Sequence, residues 1–549
     1  MLATFFPLAL RAQTKPHPTP HATAAATPDP ILDAMKAELA REQKLLVLPG
    51  MQRPYFIQYR LEDLHTYEAV ANYGALTRES EGHQRVVRVE VRVGSYASDS
   101  SSARGEGSLE LAPLDNDPAA LRFALWTATD AAYKAALSAY AAKQAALKQY
   151  QTPPTANDFS PAKPITHLEP LQSVDLDRAE WKHRIIQASG LYATAPEVSS
   201  FASAVEYSSA NVTALVVNRY TVNTDGAVMR LSYSGYQDSI AVAGQASDGM
   251  EISRDNGSTA TTAAGLESWD ALRKRTLDDL LSFNDLRHAP VVAAEEYHGP
   301  VLFSSDAAAS VFSRLFVPNI SAIRPDMGTT ARTRGAYESS YRSNVLPPFL
   351  SVTDDPSLRS FDGQSLLGAY AVDDEGVPAQ VVHIVEHGDL MNYLVGREPV
   401  KDFPASNGHG RAIPAQTTHP RIGVLIVKSA EPLSNQQLEA KLVALAKQQN
   451  HDVYEVETMG GELAPRLLYR VSPEGKRTLV RGAAFDELDQ RSLRADIIAA
   501  GGKPWVAQTF APLPTTLIAP ALLFDDITVK RASEENQKLP YYPPPAASN

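Results

Sequence analysis

Residues His383-Ile384-Val385-Glu386-His387 match the pattern H-x-x-E-H, in which two imidazoles hold zinc and the glutamate works on its bound water. That chemistry needs a helix, where positions four apart stand one above the other. Here the pattern lies in a β-branched run, Gln380-Val381-Val382-His383-Ile384-Val385-Glu386, that ends on the turn His387-Gly388-Asp389. Leu390 to Val395 then reads as a return strand. At about 3.3 Å per residue, strand histidines four positions apart stand about 13 Å from each other, too far to share an ion. A plain hairpin is the preferred reading, with His383 and His387 kept as alternative metal ligands. A polar, Gly-rich loop, Asn407-Gly408-His409-Gly410-Arg411, followed by His419, is expected to be accessible, and Asn407, His409 and Arg411 are candidate cleft-lining residues.

Other catalytic apparatus is absent from the sequence. There is no cysteine, so no thiolate nucleophile and no Cys-containing zinc site. No GxSxG elbow, Walker phosphate loop or GxGxxG occurs. No histidine is followed by glutamate, which rules out HExxH anywhere.

The formal net charge of -12 argues against a nucleic-acid surface, which needs clustered cations to displace counterions from phosphates. The densest basic group, Arg273-Lys274-Arg275, is flanked by acidic residues and reads as a solvated helix face. No apolar run approaches the ~18 residues of a membrane span.

Several elements must position these residues. Helices are expected from Pro30 to Gln43, over the Ala-rich, Pro-free stretch Ala119 to Gln149, from Ala179 to Ala188, and from Thr262 to Phe283. Strands are expected at Tyr55–Tyr59, Arg85–Val93, Ala214–Tyr220 and Ala227–Tyr233, the last two joined by Asn223-Thr224-Asp225-Gly226. Beyond a boundary near Pro290 short β-rich runs dominate. They are interrupted by helices at Asp306–Phe316 and Ser434–Gln449, the second opened by the capping box Ser434-Asn435-Gln436-Gln437.

The divisions read from this pattern are 1–12, a truncated signal segment; 13–30, a linker; 31–289, an N-terminal α/β domain; 290–531, a β-rich domain; and 532–549, a polar, Pro-rich tail. The run Leu2–Leu10 followed by Arg11-Ala12-Gln13 points to export to the periplasm or cell envelope, with a frayed terminus on a cytoplasmic protein as the alternative.

Taken together, the C-terminal segments resemble the TldD/PmbA family of modulator-of-gyrase metallopeptidases. The stretches that carry the resemblance are Gly299-Pro300-Val301-Leu302-Phe303 running into a helix, Val372-Asp373-Asp374-Glu375-Gly376-Val377-Pro378, the His387-Gly388-Asp389-Leu390 hairpin, Ser406 to Arg411, and Ala519 to Ile527. The resemblance implies an α+β protein, with an N-terminal α/β domain followed by a barrel-like C-terminal domain of TldD/PmbA type. In the active branch, the helix after the Gly-Pro-Val strand carries HExxxH, and a later Cys completes the zinc site. The matching register puts Ser313, Arg314 and Pro318 in the places of His, Glu and His. No histidine lies between His298 and His383, so the loss does not depend on that register.

This pattern resembles the PmbA (TldE)-like branch. It implies no catalytic residue and no cofactor in this chain, with zinc carried by a partner. The expected partners are a HExxxH-bearing TldD-like subunit or a second copy of the chain, together with unfolded peptide. Two alternatives stay open: an autonomous peptidase with a relocated metal site at His383, His387, His409 or His419, and a homo-oligomeric envelope protein that binds peptide.

Overall fold

The computed structural model describes residues 29–101, 107–150 and 154–532. The signal segment, most of the linker and nearly all of the polar tail lie outside these residues. The architecture is α+β, built on two large open sheets that use separate stretches of chain.

The first sheet rests on two long antiparallel hairpins. Pro54–Asn72 returns as Ala75–Val93 through Tyr73 and Gly74, both at positive φ (54° and 81°). That two-residue geometry matches the right-handed twist of the flanking strands. Tyr207–Asn223 returns as Ala227–Gln245 and pairs with Pro54–Asn72 through its other edge. The strands are much longer than the apolar runs that announce them, because their outer halves are polar.

Side chains alternate between the two faces. Ile57, Tyr59 and Leu61 turn to helices Pro30–Leu45 and Pro118–Leu147, and Tyr67 turns to helix Arg178–Thr194. Gln58, Arg60 and Glu62 turn to the opposite face, toward the C-terminal half. Helix Pro118–Leu147 buries Leu121, Leu125, Ala128, Ala132 and Ala136 at helical spacing, and the alanines bring its backbone close to the sheet. Asp29, Asp117, Asp177 and Ser268 each cap a helix by accepting from a first-turn backbone N–H. The helix expected from Thr262 begins only at Trp269, after Ser268; residues 263–265 form a tight 3-10 turn.

The second sheet is centred on Thr515–Arg531. This strand pairs with Val424–Ser429, Tyr297–Phe303, Ala483–Asp486 and Ile497–Thr509. The end of Tyr297–Phe303 is covered on both faces, which accounts for the apolar triplet Val301-Leu302-Phe303. Val301 and Phe303 join Phe312, Phe316 and Phe524 in one core, while Leu302 meets Leu438, Leu442 and Ala446 of helix Asn435–Gln449. That helix carries both hydrogen bonds of the Ser434/Gln437 capping box. The helix expected at 306–316 is α-helical over Ser305–Val311, widens to a π turn at Phe312–Phe316 and tightens at Val317–Asn319. Pro318, which has no N–H to donate, sits where the regular ladder ends. Among the described residues no helix is long and apolar enough to cross a membrane.

Candidate functional site

The turn Asp373-Asp374-Glu375-Gly376 places three carboxyls between the two sheets, all of them buried. Gly376 takes φ +84° to close it. Asp373 accepts from the backbone N–H groups of Glu375 (3.0 Å), Val377 (2.8 Å) and Gly410 (2.9 Å). Asp374 accepts from Ala412 N–H at 2.7 Å and pairs with Arg219, and Glu375 accepts from Arg397 N–H at 2.6 Å.

Cations on the facing sheet answer these acids. Arg219 donates to Glu62 (2.8 Å) and to the Ala412 carbonyl (2.9 Å). Arg60 donates to Thr418 Oγ1 (3.0 Å) and to the Gln416 carbonyl, and Glu62 accepts from Ala415 N–H. Arg397 reaches back to Asp225 and the Ser160 carbonyl. The halves therefore meet through charge-assisted hydrogen bonds, although Arg60 Nε and Arg397 Nη1 are buried there with no hydrogen-bond partner.

Burial beside Glu375 pushes Asp373 well above the ordinary carboxyl range, and burial pushes Glu375 up to about 7. Against the same cost of burial, the Arg219 guanidinium and the Ala412 N–H hold Asp374 below its ordinary value. Two carboxyls with raised proton affinity thus stand beside one whose proton affinity is lowered.

Two hollows flank this seam. A cavity of about 340 Å³ is lined by Arg219, Tyr233, Tyr370, Asp373, Asp374 and Arg411. A larger one, about 540 Å³, is lined by Arg324, Glu375, Arg397, Glu398, Thr418 and His419. Beside it a smaller hollow adds Arg60, Arg88, Glu90 and Arg92 to the same Glu375, Glu398 and His419. Alternating guanidinium and carboxylate groups along such walls can hold the amide and charged groups of an extended chain.

The residues singled out from sequence divide accordingly. Arg411 lines the smaller cavity, donating to the Ile422 carbonyl (2.6 Å) and lying over the Tyr370 ring. His409, expected in an accessible loop, is fully buried: Nδ1 meets Asn407 and Nε2 stands 3.4 Å from Asp354 Oδ1. Its burial follows from the strand Gly410–Ala412, which pins the loop against the acidic turn. Asn407 braces the preceding turn through Val395 N–H and the Tyr393 carbonyl. His383 is on the strand Val382–Glu386 and meets Thr353, while His387 occupies the turn at φ 50°. The return strand is only Asp389–Leu390, because Met391 and Asn392 both bend back to the Ile384 carbonyl.

Residues 296–531 match the family described as the PmbA/TldA metallopeptidase C-terminal domain. The C-terminal half belongs to the TldD/PmbA family. The fold of nearly the whole chain is shared with solved structures. One is a protein from Thermotoga maritima described as a candidate modulator of DNA gyrase (TM-score 0.60, 15% identity, 90% of this chain and 99% of that one). Another is TldE from Thermococcus kodakarensis (0.59, 13%, 90% and 99%). A third is a gyrase-modulator candidate from Bacteroides thetaiotaomicron (0.58, 11%, 91% and 99%). No curated protein matches the sequence.

Within this TldD/PmbA domain, Ser313, Arg314 and Pro318 all face solvent on the helix that follows Tyr297–Phe303. Their neighbours Phe312, Leu315 and Phe316 are buried and hold the helix in place.

Two groups escaped the sequence reading. The Arg60–Glu62–Arg219–Asp374 network spans more than 300 residues of chain. A cluster of Asp63, His65 and His83 forms only when the first hairpin closes.

Proposed function

We propose that this chain is a non-catalytic subunit of a TldD/PmbA-type metallopeptidase assembly, shaping the chamber in which an unfolded peptide is held. The observation that carries the reading is a sequence with no histidine between His298 and His383 and no cysteine at all, so that Ser313, Arg314 and Pro318 stand where the resemblance expects the family's HExxxH. A zinc hydrolase needs fixed ligands and an open position before it can acidify a bound water, and none of those ligands remains at this helix. The exposed helix face bearing the three residues is open to a HExxxH-bearing TldD-like partner, or to a second copy. The Arg- and Glu-lined hollows suit peptide backbone and side-chain charges, and strand addition offers a second grip. Export to the cell envelope belongs to the same proposal, on the strength of the apolar run Leu2–Leu10.

The test is co-expression with a HExxxH-bearing TldD-like subunit. A stable complex, with hydrolysis of unfolded protein by the mixture and by neither this chain alone nor a partner variant lacking its glutamate, is expected. A chain that stays monomeric beside such partners, and adds nothing to their activity, overturns the reading.

A further inference from the structure

Among the described residues, Asp63, His65 and His83 bring a carboxylate oxygen and two imidazole nitrogens within 4.8 Å of one another. The strand period puts Asp63 and His65 on one face, and the register sets His83 opposite His65 and Arg85 opposite Asp63. The two imidazoles stack with centroids 4.1 Å apart and planes 18° apart. Both turn Nε2 toward a single oxygen, with His83 at 2.7 Å and His65 at 3.5 Å from Asp63 Oδ1. The other oxygen, Oδ2, accepts from Arg85 at 3.0 Å, and Arg85 is itself held by the Pro113 and Asp115 carbonyls and by Asn116. The carboxylate is thus fixed in rotation with Oδ1 aimed at the histidines.

The trio occupies the gap between the helices covering Tyr59 and Leu61 and the helix covering Tyr67. Asp63 is buried, while the side chains of His65 and His83 are 35% and 34% exposed, so the rings stand at the surface.

We propose that Asp63, His65 and His83 form a binding site for a divalent transition metal of the zinc class, with Arg85 as a positioning residue. Two imidazoles and one carboxylate suit zinc, cobalt or nickel better than magnesium or calcium, which prefer all-oxygen shells. Three protein ligands at a half-open surface leave room for water in the remaining positions. Binding requires both Nε2 atoms to present lone pairs, so in the loaded site each ring carries its proton on Nδ1. The site is built on the first sheet from residues the TldD/PmbA reading does not use, and stands or falls separately from it.

The experiment is titration of the chelator-treated full chain with zinc chloride by calorimetry, repeated with cobalt to read the visible bands of the bound ion. One equivalent is expected. His65→Gln and His83→Gln should each weaken binding by more than about tenfold, the scale on which even an outer-shell partner matters, and remove the cobalt bands. The double variants His17→Gln/His21→Gln, which removes the two histidines of the linker 13–30, and His383→Gln/His387→Gln should bind as the parent does. Failure to bind an equivalent, binding indifferent to His65 and His83, or loss in either control variant overturns the proposal. X-ray absorption of the zinc-loaded parent decides without any variant: two imidazole shells with oxygen support it, and a shell without imidazole sinks it.

Discussion

Arg219, on the first sheet, places a guanidinium nitrogen 2.6 Å from Oδ1 of Asp374 in the C-terminal half, and neither side chain is more than 7% exposed. Glu62 shares the same guanidinium. Removing one partner of such a pair leaves a buried charge unanswered, at about 3–5 kcal/mol. Arg219→Met is therefore expected to cost that much in urea unfolding, because it strands Glu62 and Asp374 together. The double variant Arg219→Met/Asp374→Leu should cost less than the sum of the singles. Additive single effects would mean the two groups do not interact.

Glu375 makes stability depend on pH. Its folded-state value of about 7 lies above the ordinary 4.5, so the folded chain holds this proton more tightly than the unfolded one. The contribution is complete below the unfolded value and is lost as pH rises through about 7. Glu375→Gln, which keeps an oxygen for Arg397 N–H, should match the parent near pH 4.5 and melt above it at pH 8. Because Asp373 and Glu375 titrate as a pair, the midpoint belongs to both. A parent whose melting temperature, relative to the variant, is flat from about pH 5 to 8 would refute the assignment.

Arg314→Glu probes the exposed helix face. A surface change of this kind should move stability by no more than about 0.5 kcal/mol. It should nonetheless abolish co-purification with a HExxxH-bearing partner if that face is the contact. Unchanged pairing beside an unchanged melting curve would place the partner elsewhere.

Ser434→Ala removes one arm of the capping box of helix Asn435–Gln449 and should cost about 1 kcal/mol. The loss should appear as faster amide exchange in the first turn of that helix. Unaltered exchange there would show that packing of Leu438 and Leu442 alone fixes the helix start.

Elements with strong local chemistry were legible in the sequence. The Ala-rich stretch read as 119–149 is helix Pro118–Leu147, and the Ser434 box opens its helix as expected. The first hairpin was half visible. Arg85–Val93 alternates cleanly, but Thr77-Arg78-Glu79-Ser80-Glu81 looks like a loop until its partner strand is known, and Tyr73-Gly74 is an uncommon turn pair. The site suffered from the same limit. Arg60, Glu62 and Arg219 read as ordinary outward charges of half-buried strands, and only the meeting of two halves turns that face inward. His65 and His83 are eighteen positions apart, so their pairing depends on a register that no local pattern announces. His409 erred the other way, since flanking glycines suggested exposure where the strand after it enforces burial.

The strand Thr515–Arg531 leaves the ribosome more than two hundred residues after Tyr297–Phe303, yet that strand and three others hydrogen-bond to it. A nascent chain halted before Thr515 holds Val301, Phe303 and Val424 with no neighbour to cover that edge. The C-terminal half therefore consolidates only after translation has passed it, while the hairpins of the first sheet, closed by nearby turns, can form as they emerge. For some two hundred codons the cell must shelter a half-made sheet, and any premature stop in that interval yields a product for the quality-control proteases.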